Sequence, residues 1–485
     1  MNNMLKQITA LILIALLILP FLTLPVLALS NEQEEAIQNF LDEARRTSGA
    51  PSISVSIIIE EETHFFSSGE TNDEHLYELA SVSKAFTALG ILYLEENGLL
   101  SRTDSITDYL PWLIFNYDGE PVNMQDVRIE HLVYHTVGIT QNHANVGVFA
   151  GEHEDTLQST VEALIGAELD FLPGERFEYG TKNYNVLGMI IEVVSGLSYE
   201  EFMRIHIFEP LGLYNTFANR DDAIATGNLT QGYFTQFIIQ TRTRDSKEAR
   251  GAVPTGYIIT NTYDMARWKS IQLGVADETS EIFSRIIPLS HQENRTVDIE
   301  YLYDIPYYYA FGWFVSQDGI NIMHGGNNPS FTSFVDLQPN ENIGVTVLSN
   351  SQNVNTHSIA TGIVNILNGN FDVSYEMFLL RTMDIIFTSL TVLGSLFTVL
   401  FLFLGIKRQK FITKPVSKKR IVAICFLALL TIGLFVFTYL SPALLVSESN
   451  WRIALNFVSP SVLTGMIAIS LSSGSLLFLT LRQKE

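Results

Sequence analysis

The sequence contains one cysteine and few basic residues, and each shortage excludes a class of protein. Cys425 stands alone in an apolar run of the 485-residue chain, so neither a disulfide scaffold nor a cysteine-based zinc site can form. Lysine and arginine together number 29, against 52 aspartate and glutamate residues, which gives a net charge of -23. Because binding to phosphates needs a basic surface, we expect no nucleic-acid partner.

Charged residues make up only 17% of the chain, and they are distributed unevenly along it. Residues 31–376 carry 17 basic and 49 acidic residues, whereas residues 377–485 carry 11 basic and three acidic ones. The mean hydropathy of +0.20 is unusual for a soluble protein. We therefore predict an acidic soluble domain over 31–370, whose surface repels polyanions, and a membrane region near the C-terminus.

Three stretches without any charged residue, 385–406, 421–440 and 461–481, are each long enough to cross a bilayer, which takes about 20 residues. They predict three transmembrane helices in a membrane region over 385–485, joined to the domain by a linker over 371–384. The loop between the first two holds seven basic residues and no acidic one. The positive-inside rule makes that loop cytoplasmic, so we expect a multi-pass protein of the cell membrane with its domain outside the cell.

The N-terminus agrees with export of the domain. Lys6 precedes an apolar stretch that begins at Ile8, and residues 26–28 offer small side chains for cleavage. This pattern predicts a secretory signal peptide over 1–30, with an uncleaved anchor as the alternative. Both interpretations put residues 31–376 outside the cell.

Periodicity within the domain predicts an α+β fold. Residues 52–60 are β-branched and strand-like, and residues 78–94 repeat apolar side chains at a helical period. Four strand-like stretches, 309–317, 321–326, 331–339 and 342–350, follow with short turns between them and predict an antiparallel meander. A helix over 353–367 closes the domain. We expect an antiparallel sheet flanked by helices and a mostly helical second lobe over 100–300, with a cleft between the lobes.

Several motifs of catalysis and metal binding are missing. The chain has no G-x-S-x-G elbow, no P-loop and no H-E-x-x-H. Four histidines, His131, His135, His143 and His153, lie near one another, but their spacings match no metal-binding pattern. We expect them to be structural, and we expect neither a metal nor a cofactor.

The motif that could carry chemistry is Ser81-Val-Ser-Lys84, near the start of a predicted helix. Residues three apart on a helix share a face, so Lys84 can reach the Ser81 hydroxyl. Burial lowers the pKa of a lysine, and the neutral amine can then accept the proton of the serine. Taken alone, the motif could equally be a serine cap followed by a lysine that reaches to solvent.

The surroundings of this motif resemble the nucleophile helix of the serine β-lactamase and penicillin-binding-protein superfamily, over 78–88. Further stretches are similar in the order of that family, at 129–138, 173–179 with 183–188, 264–268 and 324–326. The resemblance covers about residues 35–367. It is closest to the class C-like branch, which contains D,D-peptidases, D-aminopeptidases and esterases.

The resemblance implies a role for each residue of the site. Ser81 would be the acylated nucleophile, and Lys84 and Tyr179 would share the work of the general base. His324 would occupy the position of the lysine in the family's Lys-Thr-Gly strand. The remaining site residues implied are Gly325 and Gly326 on that strand, Thr181, and Asn327, whose N–H would join that of Ser81 in an oxyanion hole.

Two residues depart from the family pattern. Thr181 stands where the family's Tyr-x-Asn motif has asparagine, and His324 replaces a permanently charged lysine. Both changes weaken the anchoring of an amide side chain and of a carboxylate. We therefore do not expect efficient β-lactam hydrolysis, and we expect ester, D-peptide or cell-wall peptide substrates.

Two other functions stay open at this point. A catalytically weak penicillin-binding or ligand-sensing protein could signal through the predicted spans. A transporter with an accessory domain is disfavoured, because the spans lack the ionisable residues that conduits carry. The partners expected are a small-molecule or peptide substrate and the membrane, and the sequence does not specify an oligomeric state.

Overall fold

The computed structural model describes residues 29–143, 156–242, 250–277, 279–297, 300–302, 305–408, 410–411, 417–445, 451, 455 and 458–483. The predicted signal peptide lies outside this part of the chain except for its last two residues, and His153 also lies outside it. The signal peptide therefore stays a prediction.

An antiparallel sheet forms the centre of the domain and, in the described part of the chain, has eight strands. They are β1 Ser52–Ile59, β2 Glu62–Gly69, β3 Glu300–Leu302, β4 Ile305–Tyr309, β5 Phe314–Ser316, β6 Ile322–Asn327, β7 Thr332–Gln338 and β8 Ile343–Ser349. Their order across the sheet is β3-β4-β5-β6-β7-β8-β1-β2. The predicted antiparallel meander is confirmed, but its first stretch, 309–317, is not one strand, because residues 310–313 form the turn between β4 and β5. Strand β8 pairs with β1 in the register Ile57 to Val345, which joins the two ends of the domain.

Helices cover the sheet and build the second lobe. Those of the domain are α1 Asn31–Ser48, α2 Ser83–Glu96, α3 Ile129–Val133, α4 Leu157–Glu162, α5 Asn183–Ser195, α6 Tyr199–Phe202, α7 Arg220–Ala225, α8 Val253–Gly256, α9 Thr262–Leu273, α10 Glu281–Ser290 and α11 Thr356–Leu367. Helices α1 and α11 pack together, and α11 also lies against β7 and β8. The predicted α+β fold is confirmed.

The alternating serines of β1 show how the sheet holds polar groups in its core. All eight residues of this strand are buried. The Ser52 and Ser54 hydroxyls lie 3.2 and 3.0 Å from the Tyr77 hydroxyl, and Ser56 meets the amine of Lys269 on α9. Because side chains alternate along a strand, these serines share one face of the sheet, and Ile53, Val55 and Ile57 lie on the other. The serine face contacts Tyr77, in the short segment that precedes Ser81, and Lys269 on α9.

The helix predicted over 78–94 begins later than its periodicity suggested. Tyr77–Glu78 form a short strand that pairs with Ile259–Thr260, a 3₁₀ turn covers Ala80–Val82, and only then does α2 begin, at Ser83. Ala80 adopts a left-handed backbone conformation with φ of 47°, which is rare outside glycine. Ser81 therefore stands on a tight turn that leads into the helix.

Three C-terminal helices of the described chain are long and apolar enough to cross a membrane: α12 Leu379–Lys407, α13 Lys418–Leu445 and α14 Pro460–Thr480. Helix α12 begins six residues before the predicted span, so the last part of the predicted linker is helical. Helices α12 and α14 approach closely at two glycines. A Cβ on Gly394 would lie 2.9 Å from the carbonyl carbon of Ala468, and one on Gly465 would lie 2.7 Å from the carbonyl oxygen of Phe387.

Candidate active site

Ser81 and Lys84 meet as their spacing predicts. The Nζ of Lys84 lies 3.0 Å from the Oγ of Ser81, and it also donates to the carbonyl oxygen of Thr255, at 2.7 Å. Ser81 is partly exposed and lines a pocket, whereas Lys84 is fully buried. The hydroxyl is therefore open to a substrate while the amine behind it is shielded from water.

Burial lowers the pKa of Lys84 well below its usual range. No carboxylate forms an ion pair with this amine among the described residues, and its polar neighbours are the neutral groups of Ser81 and Thr255. The amine also lies 5.1 Å from the ring centre of Tyr179 and 5.9 Å from that of Tyr184. Lys84 thus loses its proton at a lower pH than a solvated lysine, and the neutral amine can take the proton of Ser81.

Tyr179 lies beside the same pair but keeps its own proton. Burial raises the pKa of Tyr179, and the nearby Ser81 hydroxyl opposes that rise without cancelling it. Within the described chain, no hydrogen bond of normal length reaches the Tyr179 hydroxyl. The resemblance allowed Tyr179 to act either as a phenolate base or as a proton relay. The raised pKa favours the second role, in which the protonated phenol relays a proton.

His324 lines the pocket, but both of its ring nitrogens are occupied. Nδ1 lies 2.7 Å from the carbonyl oxygen of Gly325 and must carry a proton to bond there, which leaves Nε2 to accept from the Tyr309 hydroxyl at 3.2 Å. Burial, reinforced by the charge of Lys84, lowers the pKa of His324 to about 3. The imidazole is neutral at physiological pH, so it supplies no cation, and neither nitrogen is free to accept the proton of Ser81.

Gly326 is required by the contact between β6 and the turn that carries the nucleophile. A Cβ on Gly326 would lie 2.3 Å from the carbonyl oxygen of Leu79 and 2.4 Å from the hydroxyl of Ser333. Ser333 itself donates to the Leu79 carbonyl, at 2.5 Å. Gly325 is less constrained, because the nearest atom to its Cβ would belong to the Phe334 ring, at 3.3 Å. Both glycines and Asn327 line the pocket beside Ser81, as predicted.

Thr181 does not line the pocket, and Gln141 does. The Thr181 hydroxyl donates to the side-chain oxygen of Gln141 at 2.9 Å, and its carbonyl accepts from the Thr255 hydroxyl at 2.6 Å. Thr181 thus supports two other residues of the site, Gln141 and Thr255, and its proposed contact with substrate stays a prediction. Gln141 contributes a primary amide to the pocket lining, as Asn327 and Asn355 do, and no motif in the sequence singled it out.

His135, for which the sequence indicated a structural role, lies directly behind Tyr179. Its Nδ1 accepts from the backbone N–H of Gly180 at 3.3 Å and lies 2.9 Å from the amide nitrogen of Asn183. Its ring centre is 4.4 Å from that of Tyr179. Burial lowers the pKa of His135 well below its usual value, so a neutral ring supports the Tyr179 loop.

Among the described residues, no group of histidine, cysteine, aspartate and glutamate side chains could hold a metal ion. The nearby residues Glu78, Arg220 and Asn328 instead form a structural link. Glu78 pairs with Arg220 at 2.5 Å and accepts from the amide of Asn328 at 2.9 Å. This link fastens the turn after β6 to the strand that precedes Ser81.

The pocket around Ser81 has a volume of about 630 Å³, within the range of small-molecule sites. Its lining beyond the nucleophile consists of Gln141, Phe177, Glu178, Tyr179, Phe314, Met323, His324, Gly325, Gly326, Asn327, Thr332, Ser333, Phe334, Val354, Asn355, Thr356, His357 and Phe378. Glu178 is the one carboxylate in this lining, and no lysine or arginine belongs to it within the described chain. The geometry places a partly exposed serine hydroxyl next to a buried lysine amine, in a pocket whose described lining has no lysine or arginine.

Comparison with known proteins identifies the family of this chain. Residues 36–365 match the Beta-lactamase family, so the chain belongs to that family and to the serine β-lactamase and penicillin-binding-protein superfamily. Protein flp of Staphylococcus aureus strain MW2 is 26% identical over 475 residues, which span 91% of this chain and 90% of that protein. Penicillin-binding protein 4* of Bacillus subtilis strain 168 is 28% identical over 281 residues, 54% of this chain and 57% of that protein.

A solved structure shares the fold. The octameric penicillin-binding protein homologue from Pyrococcus abyssi superposes with a TM-score of 0.60 at 24% identity, over 72% of this chain and 81% of that one. The fold predicted from the resemblance is therefore confirmed.

Proposed function

We propose that the protein is a membrane-anchored serine hydrolase that acts outside the cell through an acyl-Ser81 intermediate. The observation that carries this proposal is the distance of 3.0 Å between the buried Lys84 amine and the hydroxyl of Ser81, which lines the pocket. The substrates proposed are esters, D-peptides or cell-wall peptides. Three apolar helices of sufficient length support the anchor, and the basic loop between the first two supports an outward-facing domain.

The first half of the reaction forms the acyl-enzyme. Neutral Lys84 takes the proton of Ser81 while the serine oxygen attacks the carbonyl carbon of the substrate. The N–H groups of Ser81 and Asn327 are the proposed oxyanion hole, which stabilises the tetrahedral intermediate. As the intermediate collapses, the leaving group departs with a proton from Lys84, passed by the protonated Tyr179.

The second half releases the acyl group. A water molecule gives a proton to Lys84 while its oxygen attacks the carbonyl carbon of the acyl-Ser81 ester. The bond between that carbon and the Ser81 oxygen then breaks, Lys84 returns the proton to the Ser81 oxygen, and the acyl group leaves as a carboxylic acid. The retained proton of Tyr179 suits both halves, since a phenol can donate to one oxygen while it accepts from another. His324 stays neutral and orients the strand through its bonds to Gly325 and Tyr309.

The electrostatics of the pocket favour substrates without a free carboxylate. His324 carries no charge near pH 7, no lysine or arginine lines the described pocket, and its one carboxylate, Glu178, is paired with Arg176. A D-peptide with a free carboxylate therefore lacks the cation that would anchor it. Among the proposed substrates, an ester or another neutral acyl compound fits this pocket best.

The experiment that tests the proposal uses the full chain in lipid nanodiscs, exposed to p-nitrophenyl acetate and separately to a penicillin. We expect multiple turnover of the ester and, by mass spectrometry, an acyl adduct on Ser81. Ser81→Ala should lower ester turnover by at least about 10³-fold. Ser83→Ala is the matched control, because the Ser83 hydroxyl accepts from the N–H of Ile258 and faces away from this chemistry. Turnover that survives in Ser81→Ala would contradict the proposal.

A ligand sensor is the second candidate, and the contact between the domain and the first apolar helix favours it. Asp384 of α12 accepts hydrogen bonds from the backbone of Phe237 and Ile238 in a hairpin of the domain. A sensor would form a long-lived penicillin adduct on Ser81 and would show little ester turnover. The same mass spectra decide between the two candidates, because the lifetime of the adduct separates them.

A further inference from the structure

The active-site pocket continues from the nucleophile towards the first apolar helix. Next to Gly325 its wall is formed by the Phe334 ring, and the ring of His357 lies 5.1 Å from that of Phe334. Val354 and Phe378 also line this part. Phe378 immediately precedes α12, so one wall of the pocket belongs to the segment that enters the proposed membrane anchor.

Hydrogen bonds fix this segment against the pocket wall. The backbone N–H of Asn355 donates to the Tyr375 hydroxyl at 2.9 Å, and the Asn355 amide donates to the Glu376 carbonyl at 3.1 Å. The N–H of Glu376 donates to the Ser358 hydroxyl at 2.9 Å. Phe378, two residues further on, is thereby held beside the start of α11.

Two large apolar side chains are exposed where the domain meets α12. Leu379 at the start of α12 is 67% exposed, and Ile239 at the tip of the neighbouring hairpin is 68% exposed. The Asp384 bonds hold that hairpin tip against α12. A soluble surface rarely exposes several large apolar side chains together, whereas a surface that lies on lipid does so at little cost. This end of the pocket therefore adjoins the segment that leads into the proposed membrane anchor.

The lining of this part lacks charge as well. Burial lowers the pKa of His357 to about 4, so its ring is neutral near pH 7. The remaining lining groups here are uncharged: aromatic and aliphatic side chains, the amide of Asn355 and the hydroxyl of Thr356. An apolar chain loses its contact with water on entering such a groove, and each buried methylene contributes about 0.8 kcal/mol in transfer free energy, which is about a fourfold gain in binding.

We propose that Phe334, Val354, His357 and Phe378 form a subsite for an apolar acyl chain, so that the substrate is a neutral amphiphile taken from the membrane surface. This inference rests on the proposed acyl-Ser81 chemistry and names its substrate class. The reacting carbonyl lies at Ser81, and the chain extends along the groove towards α12.

The test measures kcat/KM of the full chain in phosphatidylcholine nanodiscs with p-nitrophenyl acetate, butyrate and octanoate. We expect kcat/KM to rise about two- to fourfold per added methylene over this series. Phe378→Ser should lower kcat/KM for the octanoate ester about tenfold and for the acetate ester less than twofold. Phe334→Ala, at the other side of the groove, should show the same selectivity.

The matched control is Phe371→Ser, in the same connecting segment. Phe371 is 43% exposed and does not line the pocket, so its replacement should change neither ester. The acetate rate also reports that each variant is folded. The subsite is overturned if kcat/KM does not change with chain length, or if Phe378→Ser lowers kcat/KM equally for both esters. In either case, acetate turnover at Ser81 would leave the proposed hydrolase in place. Absence of acetate turnover in the unmodified protein overturns both.

Discussion

The carboxylate of Asp384 accepts a hydrogen bond from the backbone N–H of Ile238 at 2.7 Å. Asp384 lies near the start of α12, and Ile238 lies at the tip of the hairpin formed by strands Tyr233–Gln236 and Ile239–Arg242. The same carboxylate accepts from the N–H of Phe237 at 3.2 Å and from the Ser461 hydroxyl at 2.6 Å. One buried carboxylate thus joins the domain to two of the apolar helices.

The hairpin tip needs this carboxylate because its backbone is strained. Phe237 and Ile238 have φ of 50° and 70°, in the left-handed region that β-branched residues such as isoleucine rarely adopt. Each such residue costs on the order of 1 kcal/mol. Two charge-assisted hydrogen bonds offset that cost, since bonds to charged groups are each worth about 1.5–3 kcal/mol.

We predict that Asp384→Asn loosens this turn. The asparagine keeps one acceptor oxygen and presents an NH₂ group to the second backbone N–H, so one of the two bonds is lost. Hydrogen exchange at the amides of Phe237 and Ile238 should accelerate about tenfold or more. Asp372→Asn, an exposed change in the connecting segment, serves as the control and should leave both amides protected. Unchanged exchange in Asp384→Asn would show that the carboxylate does not hold the turn.

The pH profile of ester hydrolysis should follow Lys84 and not His324. Lys84 must be neutral to act as the base, so kcat/KM should increase as the pH rises through the lowered pKa of this amine. His324, with a pKa of about 3, titrates outside the range from pH 5 to 9. His324→Gln should therefore lower kcat/KM less than tenfold and leave the acidic limb at the same pH. Disappearance of that limb in the variant would make His324 the base.

Replacing Gly326 with alanine should damage catalysis much more than replacing Gly325. The new methyl group at 326 meets the Leu79 carbonyl at 2.3 Å, and backbone cannot rotate away as a side chain can. The turn that carries Ser81 must shift, and a displacement of about 1 Å can cost about 10²-fold in rate. Gly325→Ala meets only the movable Phe334 ring, so we expect a loss below tenfold. Equal rates of ester turnover for the two variants would refute the packing argument.

Lys269 should make the stability of the domain depend on pH. Its buried amine donates to the Ser56 carbonyl at 2.5 Å and to the Gly344 carbonyl at 3.1 Å, and burial lowers the pKa of Lys269 well below its usual value. Between that lowered pKa and the unfolded value of about 10.4, the unfolded chain binds a proton that the folded chain does not. The free energy of unfolding must therefore rise with pH, by up to about 1.4 kcal/mol per unit for this lysine.

The measurement is denaturant unfolding between pH 7 and 10, followed by tryptophan fluorescence. Lys269→Met should reduce the increase of stability with pH, while Lys84 continues to contribute an increase of the same sign. Lys418→Met, at an exposed position outside the domain, should leave the dependence unchanged. A Lys269→Met domain that gains as much stability towards pH 10 as the unmodified one would contradict the proposed linkage.

Local patterns in the sequence determined the elements of this protein. The alternation of β1, the strands of the meander and the uncharged runs near the C-terminus follow from periods of two residues, from turn residues and from bilayer length. The spacing of Ser81 and Lys84 brought their side chains together across the 3₁₀ turn and the first residues of α2, because three residues nearly complete a helical turn. Each of these inferences needs only residues that are close together in the chain.

The tertiary structure decided what the site residues do. Lys84 meets the carbonyl of Thr255 across 171 residues of sequence, and no local pattern encodes that contact. Folding placed Gln141 in the pocket with Thr181 hydrogen-bonded to it, and it brought Phe378 to the pocket wall. The protonation of Lys84, Tyr179 and His324 was also decided there, because burial sets a pKa and burial depends on segments that come together only in the folded chain.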